Sequence, residues 1–234
     1  MQINNGIYIG RPNVTAPEPN ISLLVRPSTD FDILENVGFS DADFTIEWFQ
    51  KMTNDSGNPR VWSFGSFPNA AHAVSIDEGA IYYWINGVVV YSTPVYSYLG
   101  AWVTFCVMRK ADRIYIFLNG IQLGYTTNPS AIPSNGLPLY IGSEGNNSLF
   151  NGRMSNFRFT NGTALYDPLF PYTPATTPLP NTAYTKLLTL QGDSLALELT
   201  DNSGTSKVLV NGTGIYDGAN PFTGYQGSIQ FGTV

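Results

Sequence analysis

Asn119-Gly120 lies between two β-rich runs, Ile114-Tyr-Ile-Phe-Leu118 and Ile121-Gln-Leu-Gly124. Both residues of that pair tolerate positive φ, as the central positions of a type I′ turn require, so the stretch predicts a tight hairpin with a single register. Upstream, Trp102-Val-Thr-Phe-Cys-Val-Met108 alternates as a strand does and is ended by Arg109-Lys-Ala-Asp-Arg113. Three consecutive antiparallel strands follow from this reading. Leu139-Tyr-Ile-Gly142 and Phe150-Asn-Gly-Arg-Met-Ser-Asn-Phe-Arg-Phe159 continue the series. The chain is expected to be organised around a β-meander.

Composition agrees with that expectation. The 234 residues are 43% hydrophobic, enough to bury one full core, and a single all-β sandwich commonly occupies this length. Charged residues make up 12%, against 23 Gly, 16 Pro and 14% aromatics, a balance that suits short strands joined by tight turns. No stretch reads as a helix. The net charge of -6 offers nothing to a phosphate backbone or an anionic lipid surface, so neither nucleic acid nor membrane is an expected partner. Met1-Gln-Ile-Asn-Asn5 lacks the basic and apolar regions of a secretory signal, and no apolar run approaches the ~20 residues of a membrane helix. Cys106 is the one cysteine; it sits mid-strand between Phe105 and Val107 and reads as a small packing group.

Residues 1–20 hold a short strand candidate, Gly6 to Gly10, and then a Pro-rich piece, Arg11 to Pro19, that should be extended. Two readings stay open for it: a cover over a sheet edge or an arm that reaches a neighbouring subunit. Residues 21–234 are expected to form one domain. In Phe44-Thr-Ile-Glu-Trp-Phe49 alternation sends Phe44, Ile46 and Trp48 to one face and Thr45, Glu47 and Phe49 to the other. Strands are expected from Arg60, Ala73, Gly79 and Val88, with turns at Glu78-Gly79 and Asn86-Gly87. Asn161 to Pro174 reads as a loop crossing the sandwich and anchored by Leu165, Tyr166 and Phe170. Thr185 to Leu190, Leu195 to Leu199, Lys207 to Val210 and Ser228 to Phe231 are the last expected strands. Strands at such short spacing predict an all-β fold, an antiparallel two-sheet β-sandwich of jelly-roll type.

The ordered series Phe44-Thr-Ile-Glu-Trp48, Trp102-Val-Thr-Phe105, Ile114 to Gly120, Leu139 to Gly142, Phe150 to Phe159 and Gly162-Thr-Ala-Leu-Tyr166 resembles the concanavalin A-like lectin/glucanase superfamily in its laminin G-like form. The resemblance covers roughly residues 40 to 175 and extends weakly over Tyr184 to Leu190. It is similar above all to versions found in structural proteins of tailed bacteriophages, including those of cyanobacteria. In those proteins a stretch like Asp201 to Val210 opens a further module, so Ser228 to Phe231 is expected to fold back as a strand of the same sandwich or to insert into a neighbour. The resemblance implies a noncatalytic virion structural protein, a capsid decoration or tail-associated component, present in multiple copies or as a homo-oligomer, contacting other virion proteins and able to meet a host glycan. A free carbohydrate-binding lectin is the first alternative and a glycoside hydrolase the second.

The glucanase branch uses paired acids on one strand, which draws attention to Asp41, Asp43 and Glu47 on one face of the Phe44 strand. They are read here as a surface acid cluster rather than a catalytic pair. His72, the one histidine, reads as a solvated loop residue without a nucleophile beside it. One His and one Cys cannot fill the usual zinc ligand set. Calcium, which the resemblance allows, would draw on Asp77, Glu78, Asn146 and Asn147 as loop oxygen donors. The densest aromatic region, Tyr82, Tyr83, Trp84, Tyr91, Tyr96 and Tyr98, is the candidate recognition surface. It suits either stacking on sugar rings or subunit contacts, and both readings stay open.

Overall fold

The computed structural model describes residues 31–33, 42–127, 136–145, 148–207, 209–211 and 215–231. Two antiparallel sheets face each other. One runs β13-β1-β10-β3-β4-β5-β6 and the other β14-β15-β11-β2-β7-β8-β9, with β12 joined to β11 beside that path. The seven-stranded sheet comprises β1 (Phe31–Ile33), β3 (Arg60–Phe64), β4 (His72–Asp77), β5 (Ala80–Ile85), β6 (Val88–Pro94), β10 (Leu139–Ile141) and β13 (Leu209–Asn211). The eight-stranded sheet comprises β2 (Phe44–Asn54), β7 (Val103–Lys110), β8 (Arg113–Leu118), β9 (Ile121–Thr127), β11 (Asn151–Asn161), β12 (Thr185–Thr189), β14 (Ile215–Asp217) and β15 (Ser228–Phe231). This is the expected sandwich.

The meander is present as β7-β8-β9, and Asn119 (φ 50°) with Gly120 (φ 79°) turns β8 into β9. Glu78-Gly79 and Asn86-Gly87 make the same left-handed pair in the β4-β5 and β5-β6 hairpins. Between the sheets lies a core of aromatics. Trp48 stacks on Phe105 with centroids 5.7 Å apart and meets Trp62 of the opposite sheet edge-on at 6.3 Å; Phe64 meets Phe159 at 6.0 Å. Each of these rings is buried, and aromatic pairs of this geometry add ~0.5–1.5 kcal/mol beyond the area they remove from water.

β11 is long enough to carry two partners on one side. Gly152 to Met154 pair with β15, and Phe157 to Thr160 pair with β12. Between them the register shifts, and Asn156 takes φ 53°. Its buried side-chain oxygen accepts hydrogen bonds from the Leu179 backbone N–H (3.0 Å) and from Gln191 Nε2 (2.8 Å), so the irregularity holds two returning segments. Ser228–Phe231 thus folds back into its own sandwich.

Several expectations need correction. Leu195 to Leu199 is not a strand: Leu195–Glu198 forms a helical turn, α1, with the Leu197 and Glu198 backbone N–H groups donating to Ser194 O. Leu, Ala and Glu are strong helix formers, and one local turn costs no sheet pairing. His72 is no solvated loop residue. It opens β4, is fully buried, and its Nδ1 pairs with the Tyr83 hydroxyl. Burial, and then the charge of Arg109, hold its imidazole well below the ordinary range, so it packs as a neutral core group. In the crossing loop Phe170 stays 66% exposed, and Tyr172 takes the anchoring place expected of it. Leu165 and Tyr166 are half-buried. Residues 1–30, and with them the proposed arm, lie outside the described residues.

The eight-stranded sheet has its outer face covered by the chain that follows β11. Tyr172 N–H donates to Gly120 O at 3.0 Å, and a Cβ on Gly120 would lie 1.8 Å from Tyr172 O. The hairpin glycine therefore serves twice, once for its φ and once for the close approach of the cover. Tyr166 stacks on Tyr172 at 3.8 Å, Tyr172 meets Phe117 at 5.6 Å, and Cys106 and Met108 are buried with them. Cys106 is thus the packing group expected; burial, and then Glu47, push its thiol well above the ordinary value.

Glu47 changes character under this cover. It is 3% exposed rather than a surface acid, and Arg158 Nε donates to its Oε1 at 2.7 Å while Tyr166 OH donates to Oε2 at 2.7 Å. Arg158 Nη1 also donates to Pro180 O at 2.7 Å, tying the cover to the sheet. Asp43 accepts the Ala111 backbone N–H at 2.7 Å and pins the β7-β8 turn; Asp41 lies outside the described residues.

Candidate functional site

On the seven-stranded sheet, pairing fixes which aromatics face outward. Ala73 opposes Trp84, Ser75 opposes Tyr82, and Val74 opposes Tyr83. Val74 and Tyr83 belong to the core, so Tyr82 and Trp84 project from the outer face, where both are half-buried. Tyr83, fully buried, meets Trp62 at 6.3 Å, and burial pushes its hydroxyl far above the ordinary range.

The Trp84 ring is held in place. Its Nε1–H donates to Ser75 Oγ at 2.9 Å, and the Arg60 guanidinium carbon lies 4.2 Å from the ring centroid. Arg60 is 3% exposed and is itself fixed: Nε donates to Glu144 Oε2 at 2.8 Å and Nη1 to Asn58 Oδ1 at 2.9 Å. Glu144 Oε1 in turn accepts Ser148 Oγ–H at 3.0 Å. An ion pair taken this far out of water needs such extra hydrogen bonds to offset its desolvation. The result is an indole ring whose orientation is set by β3, β4 and the loop after β10.

The remaining aromatics separate. Tyr91 is half-buried at the core's edge, and its hydroxyl approaches β9 so closely that a Cβ on Gly124 would lie 1.8 Å from it. Tyr96 is 77% exposed on the β6-β7 loop, whereas Tyr98 is buried and its hydroxyl donates to Asp55 Oδ2. Burial, with Asp55 adding to it, lifts the Tyr98 hydroxyl above its usual range. Burial alone would raise Asp55, but hydrogen bonds from Tyr98 and the Gly79 N–H outweigh it and hold that carboxyl low. Tyr82, Trp84 and Tyr96 therefore present ring surface to solvent; Tyr83 and Tyr98 do not.

Asp77 spends Oδ1 on the Asn58 backbone N–H at 2.9 Å, and Asn146 and Asn147 lie outside the described residues. Among the described residues no group of three or more His, Cys, Asp or Glu is arranged to hold a metal ion. The same residues include no helix long and apolar enough to cross a membrane. Sequence reasoning reached Tyr82 and Trp84 but missed Arg60, Glu144 and Ser75. Arg60 did carry a signal, as the one charged residue of the strand Arg60-Val-Trp-Ser-Phe64.

A two-sheet antiparallel sandwich with aromatics displayed on one outer face is the frame of lectin-like recognition domains. A family model described as the concanavalin A-like lectin/glucanases superfamily, laminin G type, matches residues 28–166, more than half of the chain, and the chain belongs to that superfamily. No protein with a curated description matches it in sequence. Among solved structures, a Bacteroides ovatus protein proposed to bind carbohydrate is similar at TM-score 0.54 and 15% identity over 76% of this chain. This chain spans 55% of that protein's length. Domain 4 of the GH43 arabinanase AbnA from Geobacillus stearothermophilus, solved with arabinotriose, gives TM-score 0.48 and 14% identity over 60% of this chain and 69% of that one. A heptameric pentraxin from Limulus polyphemus gives 0.47 and 17% over 60% and 72%. These likenesses concern the fold.

Proposed function

We propose that this chain is a noncatalytic recognition module of a virus particle, a capsid decoration or tail-associated component whose lectin-like sandwich offers the outer face of the seven-stranded sheet to a glycan or to a neighbouring subunit. The observation that carries this reading is the Trp84 ring, oriented by Arg60 and Ser75 and still partly exposed beside Tyr82. A fixed aromatic ring stacks on the C–H face of a sugar without losing rotamer freedom on binding, and it anchors a protein contact for the same reason. Support for the particle comes from the resemblance of Gly162-Thr-Ala-Leu-Tyr166 and its companions to phage structural proteins. Weak single contacts then act together across many copies. Glu47, one of the three acids weighed for glycoside cleavage, is engaged by Arg158 and Tyr166, which leaves it a structural role.

A free lectin would use the same face, and the proposed carbohydrate binding of the Bacteroides ovatus relative keeps that second reading in view. Sedimentation velocity together with a glycan array, run on the parent and on Trp84→Ala, separates the two. Oligomers or particle binding lost in the variant support the assembly role, whereas glycan binding by a monomer supports the lectin. A variant that assembles and binds as the parent does removes Trp84, and this reading, from consideration.

A further inference from the structure

Beyond residue 166, where the family match ends, the chain builds a concave feature away from the Trp84 face. Residues 191–202 and 219–227 enclose an open groove of about 580 Å³ lined by Gln191, Asp193, Asn202, Tyr225 and Gln226, among others. That volume lies within the ~300–1,000 Å³ usual for small-molecule sites. The two segments meet closely: a Cβ on Gly227 would stand 1.8 Å from Gly192 O and 2.4 Å from Glu198 Oε1. The two segments therefore meet backbone to backbone beside the groove, and glycine is required at position 227.

Gln191 is held by the fold itself: its Nε2 donates to Asn156 Oδ1 and to Leu179 O, both at 2.8 Å, and its Oε1 accepts from Asn202 Nδ2 at 3.4 Å. Gln191 thus braces the groove, while Asp193, Asn202 and Gln226 supply the polar groups that face a ligand. Tyr225, 47% exposed, meets Phe222 edge-on at 6.0 Å, and Phe222 is buried against Phe49 at 4.8 Å. The tyrosine ring therefore stands on the core while its other surface faces solvent. Asp193 is exposed, and among the described residues no Lys, Arg or His lines the groove.

A rigid ring for a C–H face, amides and a carboxylate for hydroxyl groups, and no cation for an acid define the ligand chemistry. We propose that this groove is a binding site for a neutral saccharide, separate from the Trp84 face. An acidic sugar would set its carboxylate against Asp193 without a compensating charge. The proposal shares with the function proposed above only the ligand class, and it stands on different residues.

The test is NMR titration of the ¹⁵N-labelled full chain with a panel of neutral mono- and disaccharides, and with 3′-sialyllactose and glucuronic acid as acidic controls. Expected are shifts at residues 191–202 and 219–227 with neutral sugars, independent of any at the Trp84 face, and none at those residues with acidic ones. Tyr225→Ala should weaken that binding about tenfold while Trp84→Ala leaves it unchanged. Asp193→Asn removes the repelling charge and leaves the ring in place, so it should let the acidic controls shift the same residues; a variant that still excludes them overturns the role given to Asp193. Shifts that follow Trp84 instead of Tyr225 overturn the groove and leave the sheet-face reading standing. Absence of any shift at millimolar neutral sugar, or preference for the acidic controls, also overturns it.

Discussion

The outer faces of the two sheets start from the same alternating pattern and end differently. On β2 the outward residues Thr45, Glu47 and Phe49 are all buried, because the segment from Gly162 to Pro180 and Phe222 pack over them. On β5 the outward residues Tyr82 and Trp84 keep part of their surface in solvent. Each face also buries an ion pair, Arg158–Glu47 on one and Arg60–Glu144 on the other, but the two pairs have different employment. Arg158 also donates from Nη1 to Pro180 O and fastens a cover; Arg60 lies against an indole and orients it. One pair closes a surface and the other prepares one. Period-2 polarity alone does not distinguish a solvated face from a face that the rest of the chain returns to cover.

Arg158→Ala should break that contrast most severely. It leaves Glu47 buried with the Tyr166 hydroxyl as its main partner and unfastens Pro180, for an expected loss of ~3–5 kcal/mol in urea unfolding. A loss below ~1 kcal/mol would mean that the cover is not closed in solution.

Glu198 sharpens the comparison, as a buried acid with no cation paired to it among the described residues. It is fully buried, no described group gives either of its oxygens a hydrogen bond of normal geometry, and burial, against a weak pull from the Gly192 N–H and with Asp193 adding to it, pushes it up to about 8. Between the ordinary carboxyl value and about pH 8 the folded chain holds a proton that the unfolded chain has released, so stability falls as pH rises through that range. The contribution is complete below about pH 4.5 and lost above about pH 8. Between pH 6.5 and 8 the parent should lose up to ~2 kcal/mol that Glu198→Gln retains, at one ~1.4 kcal/mol step per unit. Parallel melting curves for parent and variant across this window would refute the assignment. Buried neutral His72 gives a slope of opposite sign at lower pH, but it is common to parent and Glu198→Gln and cancels in their difference.

Trp84→Ala carries the smallest cost in stability, ~1 kcal/mol from the lost Arg60 contact and Ser75 hydrogen bond, measured by the same unfolding experiment. Its large effect belongs to recognition. A stability loss as great as that of Arg158→Ala would show that the Trp84 face is structural, and the contrast between the faces would then vanish.

Asn119-Gly120, Glu78-Gly79 and Asn86-Gly87 made their hairpins legible because a left-handed pair is a local steric demand that few residues meet. Alternation in Phe44 to Phe49, and Tyr83 lying opposite in sense to Tyr82 and Trp84, were readable for a similar reason: a strand has period two wherever it sits. His72, Glu47 and Phe170 were not readable, since each one's environment is supplied by residues far away in the chain. Glu47 and Arg158 stand 111 positions apart, and Arg60 and Glu144 stand 84 apart. The amino-acid order by itself determined most of the strands, their turns and the two-sheet class, which rest largely on interactions between near neighbours; it missed β14 and misassigned Leu195 to Leu199. Only the tertiary structure decided which face is covered, which ring is held for recognition and where the C-terminal segments leave a groove, because burial and charge pairing depend on what long loops bring together.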